Sequence, residues 1–202
     1  MKELVINSSL RYIKNNNPNF DKEKIEVIEY GLVSIYLLIS KLIIITLIAW
    51  IIGIVKELFI FAFLYNLIRM PSFGLHATKS YICLIVSTIM FIGVPIICMN
   101  VIIPNSLKLV IGIIFTMFIF KNSPADTHKR PIINPKRRRF FKICSTIISV
   151  IFVGLSICIS DNFLSNCLLS VIGCQTLFIS PTVYKIFKLP YNNYKNYSLD
   201  ND

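Results

Sequence analysis

Between Leu32 and Phe187 the chain is a succession of apolar runs divided by short polar breaks. Six runs stand out: Leu32–Val55, Leu58–Ile68, Tyr81–Ile103, Leu107–Phe120, Ile143–Ser160 and Leu164–Phe187. A helix that crosses a bilayer needs roughly 20 residues, with a range of about 17–25. The second and fourth runs fall short of this. They either extend through their flanks, thin the bilayer, or re-enter on the side they left. Pro95 and Pro181 lie inside two of the runs and read as kinks. With 55% hydrophobic and only 15% charged residues, the chain has too little polar sequence to cover a soluble core. The reading is an all-α membrane protein forming one domain over residues 1–202. Residues 32–187 form a core of about six spans, two of them short, and 188–202 form a cytoplasmic tail.

The first 31 residues are more mixed. Leu4, Leu10 and Ile13 are read as one helical face, beside Arg11 and Lys14, until Asn15-Asn16-Asn17-Pro18 breaks the pattern. Ile25, Ile28 and Leu32 recur at i, i+3 and i+7. Both segments read as amphipathic helices lying in the membrane interface.

The net charge of +11 is explained by placement. With the N-terminus in the cytoplasm and six crossings, 18 of the 21 Lys and Arg fall on the cytoplasmic side, all but Lys41, Lys56 and Lys108. This is the bias that sets orientation, and it puts both termini inside. Its densest part is Lys136-Arg137-Arg138-Arg139 with Lys142. Such a run attracts anionic lipid headgroups. Nucleic acid is not a partner, because a span flanks the run on each side. Lys41 lies within a run; an intramembrane charge usually faces the bundle interior, although it can snorkel.

The six cysteines fall mostly in apolar runs and read as small hydrophobes. No CxxC pair and no His-rich spacing suggests a metal, and no cofactor is implied. HExxH and GxSxG are also absent, which disfavours a zinc protease and a serine elbow. The conspicuous polar break is Arg69-Met70-Pro71-Ser72-Phe73-Gly74-Leu75-His76-Ala77-Thr78-Lys79-Ser80, followed closely by Cys83. A cysteine attacks as its thiolate, and an imidazole can take the proton and return it to a leaving amine. In a regular helix, seven residues would bring His76 and Cys83 to one face but separate them by about 10.5 Å. A pair within one chain therefore needs a loop or bend at the His76 end. Pro71 and Gly74 fit that need. The other geometry is a pair completed across a homodimer.

This stretch resembles the accessory gene regulator B family of bacterial membrane cysteine endopeptidases. The family's Arg, its Gly-x-His-Ala core and its Cys seven residues after the His match Arg69, Gly74, His76, Ala77 and Cys83. Where relatives often carry a second glycine, this chain has Phe73. Tyr30-Gly31-Leu32, Ser123-Pro124-Ala125-Asp126-Thr127 and Arg130-Pro131-Ile132 are similar to the family's first span entry and central cytoplasmic loop. The resemblance implies location in a bacterial cell membrane, and the Lys/Arg bias puts the polar break on the cytoplasmic side. It implies Cys83 and His76 as the catalytic pair, and an AgrD-like precursor of a quorum-sensing signal as substrate. The Cys would release the precursor's C-terminal tail and hold the remainder as a thioester. An internal Cys of the peptide would then displace the enzyme and close a thiolactone.

Three further residues bear on the site. Arg69 either binds a substrate carboxylate or oxyanion, or anchors at the interface. Asp126 either orients His76 or is a turn residue after Pro124, and turns are the commoner use. His128 is either an alternative base or a solvated loop residue. A non-enzymatic peptide transporter using Lys41 and the short spans is the alternative function.

Overall fold

The computed structural model describes residues 2–17, 20–75, 80–126 and 131–195. His76 and His128 lie outside this set. Among the described residues the chain is helical, without strands, and four helices are long and apolar enough to cross a membrane. It is an all-α membrane protein. Two compact units divide at Ile52 and Gly53.

The first unit holds α1 (Lys2–Asn16) and α2 (Lys22–Ile52). Ile6 and Leu10 are the buried residues of α1, whereas Leu4 is 71% exposed. The expected face from Leu4 to Leu10 therefore does not exist. Six residues turn about 600°, which leaves the two side chains about 120° apart. α2 runs without a break through 31 residues, so the polar turns at Ile25 and Ile28 and the first apolar run are one helix. Large apolar side chains such as Trp50 and Ile51 point outward from it, at 71% and 78% exposure. That suits a lipid-facing surface and would be a liability in water.

The second unit contains α3 (Val55–Ser72), α4 (Ser80–Thr88), a π-helical turn (Ile89–Gly93) and α5 (Val94–Asn100). It continues with α6 (Asn105–Asn122), α7 (Pro135–Cys158), α8 (Asn162–Phe178) and α9 (Pro181–Ile186). Both runs that looked short extend through their flanks: α3 and α6 each have 18 residues, about 27 Å of helix. Pro95 enters through the π turn rather than a simple kink. The wider register tolerates a residue that has no N–H to donate. Pro181 does not kink a helix; α8 stops at Phe178 and Pro181 starts α9. Pro suits a first helical turn, where its missing N–H costs nothing.

Lipid chains are as apolar as leucine, so packing and polar contacts must hold such helices together. α7 buries Ser145, Ser149 and Ser156 on one face. Ser149 shares a hydrogen bond with Thr116 of α6 at 2.8 Å, and Ser145 with Ser123 at 2.7 Å. Gly112 of α6 lets the two backbones close up: a Cβ there would lie 2.7 Å from a Val153 methyl. Asn166 of α8 donates to the Cys98 and Val101 carbonyls at 3.1 and 2.6 Å, tying down the end of α5. Cys98 and Cys167 are buried and all six cysteines are free thiols. Cys167 packs in the apolar core and Cys174 against it.

Candidate active site

The site is built where α3 ends. Pro71 lies in the last turn of α3, and the Phe73 amide closes that turn on the Arg69 carbonyl at 2.9 Å. Beyond it the chain turns sharply. Phe73 has φ 57° and ψ −136°, and Gly74 has φ +119°. These are conformations that glycine adopts freely and other residues adopt at a cost of about 1–3 kcal/mol.

Three neighbours hold this turn. The Gly74 amide donates to the Ala125 carbonyl at 2.9 Å, and the Ala125 amide to the Ser72 carbonyl at 3.0 Å. These two bonds make a parallel bridge between Phe73 and Ala125. The Leu75 amide donates to the Phe178 carbonyl at the end of α8, at 2.9 Å. Gln175, one turn earlier on α8, donates from Nε2 to the Phe73 carbonyl at 2.7 Å. The Phe73 ring meets Phe141 of α7 edge-on, 5.1 Å between centroids. The two segments similar to the family's motifs, around Gly74 and around Ala125, are therefore hydrogen-bonded to each other.

Arg69 points into this turn. Its guanidinium donates to the Tyr65 hydroxyl at 2.8 Å and to the Leu75 carbonyl at 3.1 Å. It lies over the Tyr65 and Phe178 rings, 5.6 and 5.5 Å from their centroids. Phe91, in the π turn, meets Tyr65 edge-on at 5.8 Å. Arg69 is half-buried as a clamp on the turn, a role outside the two expected for it. Two of its five donors serve the protein in this way.

Asp126 is 1% exposed. Its Oδ2 accepts from the Tyr194 amide at 2.9 Å and faces Arg138 Nη1 at 3.8 Å, an ion pair longer than a hydrogen bond. Arg138 also lies over the Tyr194 ring, 3.6 Å from its centroid. Tyr184 of α9 donates to the Asp126 carbonyl at 3.3 Å, and Tyr191 to Asn122 Oδ1 at 3.3 Å. Burial raises the Tyr191 phenol above its ordinary range; Arg138 opposes this and Asp126 and Tyr194 add to it. Tyr191 is thus a neutral donor. Residues 184–194 form a strap across the 122–126 segment, and that segment in turn holds the Phe73–Leu75 turn.

Cys83 is the fourth residue of α4, a half-buried free thiol in the first helical turn. Its expected partner His76 falls outside the described residues, as does the bend expected there. Leu75 is the last described residue before that break. Gln175, Phe178, Tyr184, Arg138 and Tyr194 were not candidates from sequence. A signal existed for Gln175, which is a polar residue within an apolar run. Arg138 was hidden inside a basic run that reads as a topology device. Among the described residues no cluster of His, Cys, Asp or Glu could hold a metal ion.

The turn yields an expected result. Gly74→Ala places a Cβ 3.0 Å from the Phe178 carbonyl at a positive φ, and should cost about 2 kcal/mol or more. Phe73→Gly relieves the strained φ but forfeits the edge contact to Phe141 and adds chain entropy. Those terms offset, so its stability should stay within about 1 kcal/mol of wild type. Thermal unfolding in one neutral detergent measures both. Equal losses would mean that Phe73 is unstrained.

The family model for accessory gene regulator B matches residues 6–179. An AgrB-like protein of Clostridium acetobutylicum is 28% identical over 180 residues, 88% of this chain and 86% of that one. An AgrB-like protein of Listeria monocytogenes is 32% identical over 181 residues, 88% and 87% of the two chains. Another, from Clostridium perfringens, is 27% identical over 151 residues, covering 69% and 68%. No solved structure matches the chain. The matched region contains the clamped turn, Cys83 and the bridge to Ala125, and the chain belongs to the accessory gene regulator B family.

Proposed function

We propose that the protein is a membrane cysteine endopeptidase that matures an AgrD-like precursor of a quorum-sensing peptide. Membership of the family supports a role in that signalling system. The observation that carries the chemical reading is local. A rigidly held turn, Phe73–Leu75, runs up to the position before His76, and a half-buried thiol follows in the first turn of the next helix. Such an arrangement suits a nucleophile that needs a fixed base and limited water.

In this reading, His76 takes the Cys83 proton and the thiolate attacks a precursor peptide bond. The tetrahedral centre collapses, His76 returns the proton to the leaving amine, and the C-terminal tail departs. The remainder is held as a thioester on Cys83. A thiol of the peptide then attacks the same carbonyl, closing the thiolactone and restoring the Cys83 thiol. Exchange of one thioester for another keeps the bond type and needs no ATP. The first step is uphill, so loss of the tail and removal of product must draw it forward. Arg69 acts here as a positioning residue and Asp126 as the anchor of the turn's neighbour. The site lies on the cytoplasmic side, where the Lys/Arg bias puts the Lys121–Lys142 segment.

The test is co-expression with the precursor, comparing wild type with Cys83→Ala and His76→Ala. Capture of a precursor fragment on Cys83 through a bond that neutral hydroxylamine cleaves supports the reading. Tail release by Cys83→Ala at the wild-type rate overturns it.

A further inference from the structure

The end of the second unit opposite Arg69 holds a cavity of about 280 Å³, lined in part by Asn105, Lys108, Ser160, Asn162 and Ser165. Lys108 is only 3% exposed. Its ammonium donates to Ser165 Oγ at 2.5 Å. That hydroxyl spends its own proton on the Ser156 carbonyl. An ammonium carries three donors and a full charge. Among the described residues no carboxylate pairs with Lys108. An uncompensated charge in such a place is costly, and a polar cavity beside it is where compensation can enter.

Two further observations fix the chemistry. α6 begins at Asn105, beside Lys108, with Pro104 before it and no side chain capping its first amides. The positive end of a helix with free N–H groups is suited to a phosphate. α8 differs: Asp161 caps it by accepting from the Leu164 amide. In depth, α6 spans about 27 Å, close to the hydrocarbon thickness of about 30 Å. Its first residues therefore lie at the level of lipid headgroups.

We propose that this cavity binds a phosphate group, that of an anionic phospholipid headgroup, with Lys108 as its counter-ion. The Asn105 and Asn162 amides and the Ser160 hydroxyl complete the donor set. The site is separate from the basic Lys121–Lys142 segment, which lies at the other end of α6 and α7. Free phosphate offers the same chemistry, and competition separates the two sources.

The experiment uses the full chain in a neutral detergent. Short-chain phosphatidylglycerol is titrated while the unfolding midpoint is followed, and native mass spectrometry counts bound lipid. Wild type should show a saturable rise. Lys108→Met should weaken binding by at least about tenfold. Lys56→Met removes an exposed lysine at the same end and should change it by less than about twofold. Lys108→Gln, which keeps the polarity without the charge, serves if the methionine variant does not fold, and the same loss is expected. If millimolar inorganic phosphate displaces the lipid and binds alone, free phosphate is the natural occupant. If it does not, the headgroup is. The proposal is overturned if Lys108→Gln titrates like wild type, or if Lys56→Met loses as much as Lys108→Met. It also fails if acetate competes as well as phosphate, or if wild type shows no saturable response.

Discussion

Cells that carry the precursor together with Cys83→Ala protein are expected to accumulate uncut peptide, with cleavage lowered by about 10⁶-fold, the scale seen when a nucleophile is removed. Alanine leaves α4 intact, because Cys83 is half-buried and makes no disulfide. Abundance and unfolding midpoint should therefore stay near wild type, and the loss reads chemistry rather than folding. Cys83→Ser sharpens the distinction. A serine oxygen forms an ester instead of a thioester, and an ester is a poorer leaving point for the ring-closing thiol. Ester-linked, hydroxylamine-resistant precursor should then collect on the enzyme while cyclic product falls. Release of tail at the wild-type rate by Cys83→Ala would remove Cys83 from the mechanism.

Arg138→Met should be the most damaging single change outside the reacting groups. It strips the cation from Asp126, whose side chain is 0% exposed, against 20% for Arg138. Removing one partner of a fully buried pair costs about 3–5 kcal/mol. The partial exposure of Arg138 lowers the expectation to about 2–3 kcal/mol. Asp126→Asn keeps an acceptor for the Tyr194 amide and should cost about 1 kcal/mol. The double variant should be less unstable than the two losses summed, with a coupling of about 1 kcal/mol or more. Tail release should suffer more than stability, since a 1 Å misplacement near a reacting centre can cost about 10²-fold. Additive losses in thermal unfolding would show that the strap and the 122–126 segment are held by something else.

Much of this molecule was legible in its residues, for identifiable reasons. Hydropathy marked the membrane helices, because lipid demands apolar sequence along a whole span. The polar break at Arg69–Ser80 was visible because charge is scarce elsewhere. The ends of α3 and α6 were less legible: Lys56 and Glu57 in one, and Asn105 and Ser106 in the other, lower local hydropathy, although both helices include them. The face of α1 was misassigned on spacing, since Leu4 lies about a third of a turn from Leu10. What holds the site was hidden for a different reason. Gln175 and Phe73 are 102 positions apart, and Tyr194 and Asp126 are 68 apart. Each of these bonds joins a side chain to a distant backbone group that almost any residue could supply. Local pattern carries no trace of them. Arg69 was recognised as special, but its target is a carbonyl six residues along its own chain.

The strap also has a consequence in time. Tyr194 is synthesised 111 residues after Cys83. At roughly 5–20 residues per second, that interval is about 5–20 s. Throughout it Cys83 already exists, yet Phe178, Gln175 and Tyr194 have not all left the ribosome. A nascent chain halted before α8 carries Cys83 on the helix that follows a turn whose two α8 anchors have not been made. Under the proposed mechanism, cleavage would then wait on completion of the polypeptide, and a partly inserted chain would not cut peptides in the membrane that is still receiving it.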